Sequence, residues 1–309
     1  MFLASRSSFT GVVSHTDSPS SLSGGESADA IPVPWSSYPG VAVLATEPSL
    51  LLAAEQLAQS LGLPLAGPGG KGYPLLLVRT PERLELRVVE ARGEGPIHVH
   101  FAAEDRPGRL RGGRGGHRQL IAAMGSHRRS FSPRVLDATA GLGRDGFILA
   151  CSGYRVTMVE RSPIVAALLA DGLERARGDA RIAPVVTANL TLLHADALQV
   201  MSTTTADARP EVVYLDPMHP PRVKSALVRK EMRRLRAIVG DDADARLLFA
   251  AALDHARERV VVKRPRQAES ITARAPSYVL TGRSTRYDIY LTGATPAAAA
   301  READHGLAE

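Results

Sequence analysis

The stretch Val135-Leu136-Asp137-Ala138-Thr139-Ala140-Gly141-Leu142-Gly143-Arg144-Asp145-Gly146 restricts this chain more than any other. An apolar run meets an acid, the acid leads into a glycine-rich turn, and Phe147-Ile148-Leu149-Ala150 then reads as the first buried turn of a helix. Gly141 and Gly143 tolerate positive φ and let a ligand approach the main chain closely. The helix start adds N–H groups that have no partner within the helix. The stretch therefore predicts a ligand-binding turn between a strand and a helix, and its letters also fit G-x-G-x-x-G, which alone does not say what binds.

Strand and helix patterns alternate downstream. Tyr154 to Val159 reads as a second strand ending at Glu160, and Pro163 to Leu173 as a helix burying Ile164, Leu168 and Leu169. Leu190 to Asp196 reads as the third strand, Val212 to Leu215 as the fourth, leading to Asp216-Pro217-Met218-His219-Pro220, and Arg259 to Lys263 as the fifth. Tyr278 to Thr281 and Tyr287 to Leu291 form a closing pair. The fold class predicted for residues 131–295 is α/β and Rossmann-like: a mostly parallel sheet with helices on both faces and a closing antiparallel hairpin.

Upstream, residues 31–105 read as a small α/β unit with strands at Val41 to Leu44, Leu75 to Val78 and Leu84 to Val88, and a helical stripe at Leu50, Ala54, Leu57 and Leu61. Ile97-His98-Val99-His100-Phe101 alternates as one more strand, its histidines on one half-exposed face, and no metal site is expected. Residues 1–30 are serine-rich with few bulky apolar side chains and read as a disordered extension; 296–309 read as a tail. The connector 106–130 interleaves arginines with glycines, and a short helix is expected at Leu120 to Gly125.

Charge points to a partner. The formal net charge is +6, carried mostly by arginine, whose planar fork suits phosphate, and a basic helix face is expected between Lys224 and Val239. The single cysteine, Cys151, excludes an internal disulfide framework and fits a reducing compartment, so a cytoplasmic location is expected. No apolar run is long enough to span a membrane.

In a sheet of this kind ligands lie beyond the carboxyl ends of the strands, where Asp137, Glu160, Asp196 and Asp216 fall. Glu160 can accept hydrogen bonds from both hydroxyls of a ribose, whether of NAD or of S-adenosylmethionine. Asp137 and Asp145 would repel a pyrophosphate but suit a sulfonium and an α-ammonium, and Asp196 can meet an adenine amino group. A methyl donor is favoured over a dinucleotide, each acid having helix capping as its plainer alternative. An exocyclic base amine is a weak nucleophile that needs acceptors for its hydrogens and a flat neighbour for its ring. Asp216 and the Pro217 carbonyl supply the first requirement and His219 the second. An adenine-N6 methyltransferase, an NAD-dependent oxidoreductase and a noncatalytic RNA-binding protein are the competing readings.

From Gly112 to Tyr290 the chain resembles the ribosomal RNA small subunit methyltransferase J family. The resemblance rests on Gly112-Gly113-Arg114-Gly115, Asp137 through Asp145, Glu160-Arg161 with Pro163 through Leu169, Val213 through Met218, Lys224 through Val228, and Val262 through Pro265. It implies methylation of a guanosine N2 in 16S rRNA or the 30S subunit, with S-adenosylmethionine contacts at Arg144, Asp145, Glu160, Arg161, Asp196, Ala197 and Asp216. His219 stands where that family usually carries phenylalanine.

Overall fold

The computed structural model describes residues 40–89, 95–101, 116–125, 132–217 and 244–293. The serine-rich start, most of the arginine–glycine connector, Met218-His219-Pro220, the basic helix expected from Lys224 to Val239 and the tail lie outside the described residues.

Val41–Ala45 (β1), the helix Leu51–Leu61 (α1), Leu75–Arg79 (β2) and Leu84–Val88 (β3) build a small sheet of order β1-β2-β3. β1 and β2 run parallel across the α1 crossover, and β3 returns antiparallel. The stripe on α1 is Ala54, Leu57, Ala58 and Leu61, whereas Leu50 belongs to a short 3-10 turn before it. Residues 97–101 correct an expectation. Ile97, Val99 and Phe101 are buried as the alternation implies, but the segment makes a single bridge to Leu86 and no strand. Its apolar side chains leave the sheet edge for the helices of the larger layer.

That layer follows the helix Gly116–Ala123 (α2). Arg134–Asp137 (β4), Arg144–Cys151 (α3), Arg155–Glu160 (β5), Pro163–Arg177 (α4), Ala183–Asn189 (α5), Leu190–His194 (β6), Ala197–Thr203 (α6), Val212–Leu215 (β7), Ala245–His255 (α7), Arg259–Pro265 (β8), Tyr278–Thr281 (β9) and Thr285–Leu291 (β10) complete it. Seven strands lie in the order β6-β5-β4-β7-β8-β10-β9. They are parallel from β6 through β8, and β10 and β9 close the sheet antiparallel. Several boundaries move: β6 ends at His194, two residues before Asp196, α4 runs on to Arg177, β8 to Pro265, β10 begins at Thr285, and the helix expected from Leu120 to Gly125 spans Gly116–Ala123.

The strands are apolar on both sides because both faces are covered. Val135, Val212, Tyr214, Val261 and Ile289 join the core beneath α2, α3, α4 and α5, a core that continues into β1, β2 and β3. Leu136, Val213, Leu215, Val260 and Val262 point the other way, against α6 and α7. At the start of the sheet Glu211 accepts hydrogen bonds from the Arg134 backbone N at 2.8 Å and from its guanidinium at 3.0 Å, fixing β4 against β7.

The small sheet is held to α4 by polar and apolar contacts together. Arg79 pairs with Asp171 at 2.7 Å, and Arg175 reaches both Asp171 and the Val99 carbonyl. Gly172 lets Val99 lie directly on the helix: a Cβ there would stand 2.3 Å from Val99 Cγ1. Gly172→Val is therefore expected to cost about 2 kcal/mol in urea unfolding, since overpacking outweighs the better helix propensity of a substituted glycine.

Candidate active site

β4 lies at the point where chain order reverses across the sheet, with β5 and β6 to one side and β7 and β8 to the other. A crevice opens there above the carboxyl ends of the strands. The cleft has a volume of about 490 Å³, within the range of small-molecule sites. Asp137, Gly141, Arg144, Asp145, Glu160, Arg161, Asp196, Ala197 and Asp216 line it. Gly143 and Pro217 are buried without lining it, and His219 lies outside the described residues.

The two turn glycines serve different ends. Gly141 has φ +55°, and a Cβ placed on it would meet nothing within 4 Å, so its main chain is open to the cleft. Gly143 has φ +75°, and a Cβ there would stand 2.5 Å from Leu169 Cδ1 and 3.2 Å from Phe101 Cζ. One glycine leaves room for a ligand, and the other leaves room for the core.

Glu160 secures the turn. Its Oε2 accepts from the Gly141 backbone N at 2.9 Å and its Oε1 from the Ser162 backbone N at 2.7 Å. Beside it Arg161 makes a two-pronged pair with Asp244, at 3.0 Å and 2.9 Å, across the side of the cleft where α7 begins. Asp196 caps α6: its Oδ1 accepts from the backbone N of Leu198 at 2.7 Å and of Gln199 at 3.3 Å. The plainer alternative thus holds for one of the four acids while its residue still lines the cleft.

The other acids gather around a cation. Lys263 Nζ lies 2.7 Å from Asp145 Oδ2 and 2.8 Å from Asp216 Oδ2, and the Tyr214 hydroxyl donates to the same Asp145 oxygen at 2.6 Å. The Asp216 backbone N donates to Thr139 Oγ1 at 2.6 Å, tying the turn after β7 to the turn after β4. Burial alone would raise the Asp145 carboxyl, but the charge and hydrogen bond of Lys263 outweigh it and hold the group below its ordinary range. Burial weighs against the Lys263 charge as well, yet Asp216 and Asp145 together raise its pKa above the ordinary lysine value.

Asp137 behaves differently. It is 1% exposed, and burial, then the charge of Asp145, push its pKa well above the ordinary carboxylate value. Both effects favour the neutral form of the acid over the anion that its place at a strand end suggests. A raised folded-state pKa gives stability that is present below the unfolded value and lost as pH rises through the folded one. Asp137→Asn keeps an acceptor for the Thr139 N–H and removes that loss. The variant is expected to melt above the wild type at mildly alkaline pH, with the gap closing toward about pH 4 in thermal scans.

Lys263, Tyr214, Thr139 and Asp244 were not among the site residues expected from sequence, although Lys263 carried a signal. A lysine directly after the apolar Val260-Val261-Val262, at the carboxyl end of a buried strand, falls where ligands bind and where lysine is rarely placed without a partner. His98, Val99, His100 and Phe101 also line the cleft, with Phe101 stacked on Phe147 at 4.8 Å. The rings of His98 and His100 are 6.5 Å apart, and no group of three metal-ligating side chains occurs among the described residues.

The family described as putative SAM-dependent methyltransferase matches residues 56–292, and a Rossmann-like methyltransferase using S-adenosylmethionine is the class that this sheet and cleft define. A ribosomal RNA small subunit methyltransferase J from Thioalkalivibrio sulfidiphilus is 46% identical over 248 residues, covering 78% of this chain and 93% of that protein. One from Nitrosococcus oceani is 48% identical over 244 residues, covering 78% and 94%. The crystal structure of a SAM-dependent methyltransferase from Neisseria gonorrhoeae superposes with a TM-score of 0.62 at 30% identity, covering 86% of this chain and 99% of that one. The chain belongs to the ribosomal RNA small subunit methyltransferase J family. The oxidoreductase reading falls with that result.

Proposed function

We propose that the enzyme methylates the exocyclic N2 of a guanine in 16S rRNA of the small ribosomal subunit. The observation that carries this reading is the meeting of Asp216, from the Asp-Pro turn, with the open Gly141 turn and Glu160 in one cleft. The donor set fits S-adenosylmethionine: carboxylates surround the cleft, Gly141 leaves its main chain clear, and the cluster of Asp145, Asp216 and Lys263 keeps one net negative charge for a cation.

Glu160 would receive the ribose hydroxyls, the backbone around Gly141 with Arg144 and Asp145 the methionine portion, and Arg161, Asp196 and Ala197 the adenine side. Bound there, the cofactor supplies an electrophilic methyl group on a sulfonium. Asp216 and the Pro217 carbonyl accept the amine hydrogens and so orient the nitrogen, whose lone pair is otherwise delocalised into the ring. A strong base is not required, because the nitrogen becomes acidic only after it gains the methyl group, and the carboxylate of Asp216 can then take its proton. The net charge of +6 suits a polyanionic substrate.

Undermodified 30S subunits incubated with the protein and labelled cofactor, then digested to nucleosides, test this reading. Label in N2-methylguanosine is the expected result. Label in N6-methyladenosine, or none, contradicts it.

A further inference from the structure

We propose that Lys263 is a positioning residue for methyl transfer, one that bridges the cofactor side of the cleft at Asp145 and the acceptor side at Asp216. This rests on the reading of the cleft given above.

The bridge is built by the sheet. Val262 pairs with Leu215 in the parallel ladder, so Lys263 stands level with Asp216 as both chains leave β8 and β7, and Tyr287 of β10 flanks Lys263 from the other side. Asp145 comes from the first turn of α3. A single ammonium at 2.7 Å and 2.8 Å from the two acids therefore joins three separately positioned elements. Its side chain is 27% exposed and that of Asp216 is 39% exposed, so the bridge sits at the cleft surface and not in the core. Arg161, which also lines the cleft, pairs with Asp244.

The charges explain what the bridge does. Asp137 of β4, Asp145 of α3, Asp216 after β7, and the hydroxyls of Tyr214 and Tyr287 face Lys263, and His117 of α2 acts on Asp145. Burial and the neighbouring acids push Asp137 and both tyrosines toward their neutral forms. With Lys263 present, one ammonium lies between the Asp145 and Asp216 carboxyl groups and offsets their repulsion. Without it two like charges share one site, and one of them takes up a proton as pH falls. The Asp216 carboxylate would then lose both its fixed geometry and part of its charge.

The test uses the full chain with saturating cofactor and 30S subunits. Lys263→Met is expected to lower kcat by about 100-fold while KM for the subunit stays within about threefold. The wild-type rate is expected to be level across neutral pH, whereas the variant rate climbs with pH as the shared proton leaves. Added to Asp216→Asn, the Lys263 change is expected to cost less than about tenfold more, because the two act as one unit. A kcat within about threefold of wild type, or costs that multiply in full, overturns the proposal. Binding of S-adenosylhomocysteine and the melting temperature report whether the variant folds. Should it not, reaction of the unaltered chain with acetic anhydride decides: Lys263 is expected to react about tenfold more slowly than the exposed Lys71, and equal rates overturn the bridge. A wild type that fails to methylate overturns the functional reading and this role with it; a wild type that methylates beside an unimpaired variant overturns the role alone.

Discussion

Asp216→Ala is expected to reduce kcat by about 1,000-fold or more with little change in affinity for the small subunit. Asp216 is held from two directions. Its backbone N is anchored on Thr139 Oγ1 at 2.6 Å and its Oδ2 lies 2.8 Å from Lys263. An alanine keeps the first anchor and removes the carboxylate proposed to orient the amine. The fold should survive, because the side chain is partly exposed and Lys263 retains Asp145 at 2.7 Å. Single-turnover methylation with the subunit in excess measures the loss directly, and a filter-binding isotherm checks that the RNA still docks. An unimpaired single-turnover rate would remove Asp216 from the chemistry.

Glu160→Ala is expected to weaken binding of S-adenosylhomocysteine by about 100-fold and to cost about 2 kcal/mol of stability, the two effects having one source. Glu160 accepts from the backbone of Gly141 at 2.9 Å and of Ser162 at 2.7 Å, so its loss strands the buried Ser162 donor, frees the part-buried Gly141 donor and loosens the turn proposed to carry the cofactor. Glu160→Gln is not a mild substitute. Its amide would set a donor against one of those N–H groups, and binding is expected to fall nearly as far. Calorimetric titration of both variants, beside urea unfolding, checks the pairing; an affinity within about twofold of wild type would show that Glu160 serves the fold alone.

What the sequence made legible was what is local. Strand, acid, turn and helix from Val135 to Gly146 occupy adjacent positions, and the roles of Gly141 and Glu160 follow from φ and from strand-end geometry. Asp196 read as a strand end that could meet an adenine amino group, with capping as its plainer alternative; it caps α6 and also lines the cleft.

What escaped was what needs two distant segments. Lys263 meets Asp145 across 118 residues and Asp216 across 47, and no local pattern says that the end of β8 lies over the start of α3. Alternation at Ile97, Val99 and Phe101 told which side chains are buried but not against what, so a segment that packs on Gly172 and Phe147 read as a strand. Asp137 read as an anion beside Asp145 because its depth of burial is not visible in sequence; burial and the charges of Asp145 and Asp216 push its pKa up.

On the proposed reading this cleft places a methyl group on the N2 of one guanine in 16S rRNA. The measurement that meets it most directly is a modification map of 16S rRNA from cells lacking the protein. One N2-methylguanosine should vanish, return with the wild-type chain and stay absent with Asp216→Ala. A map unchanged by the deletion, or a lost mark that lies on an adenine, would contradict the account.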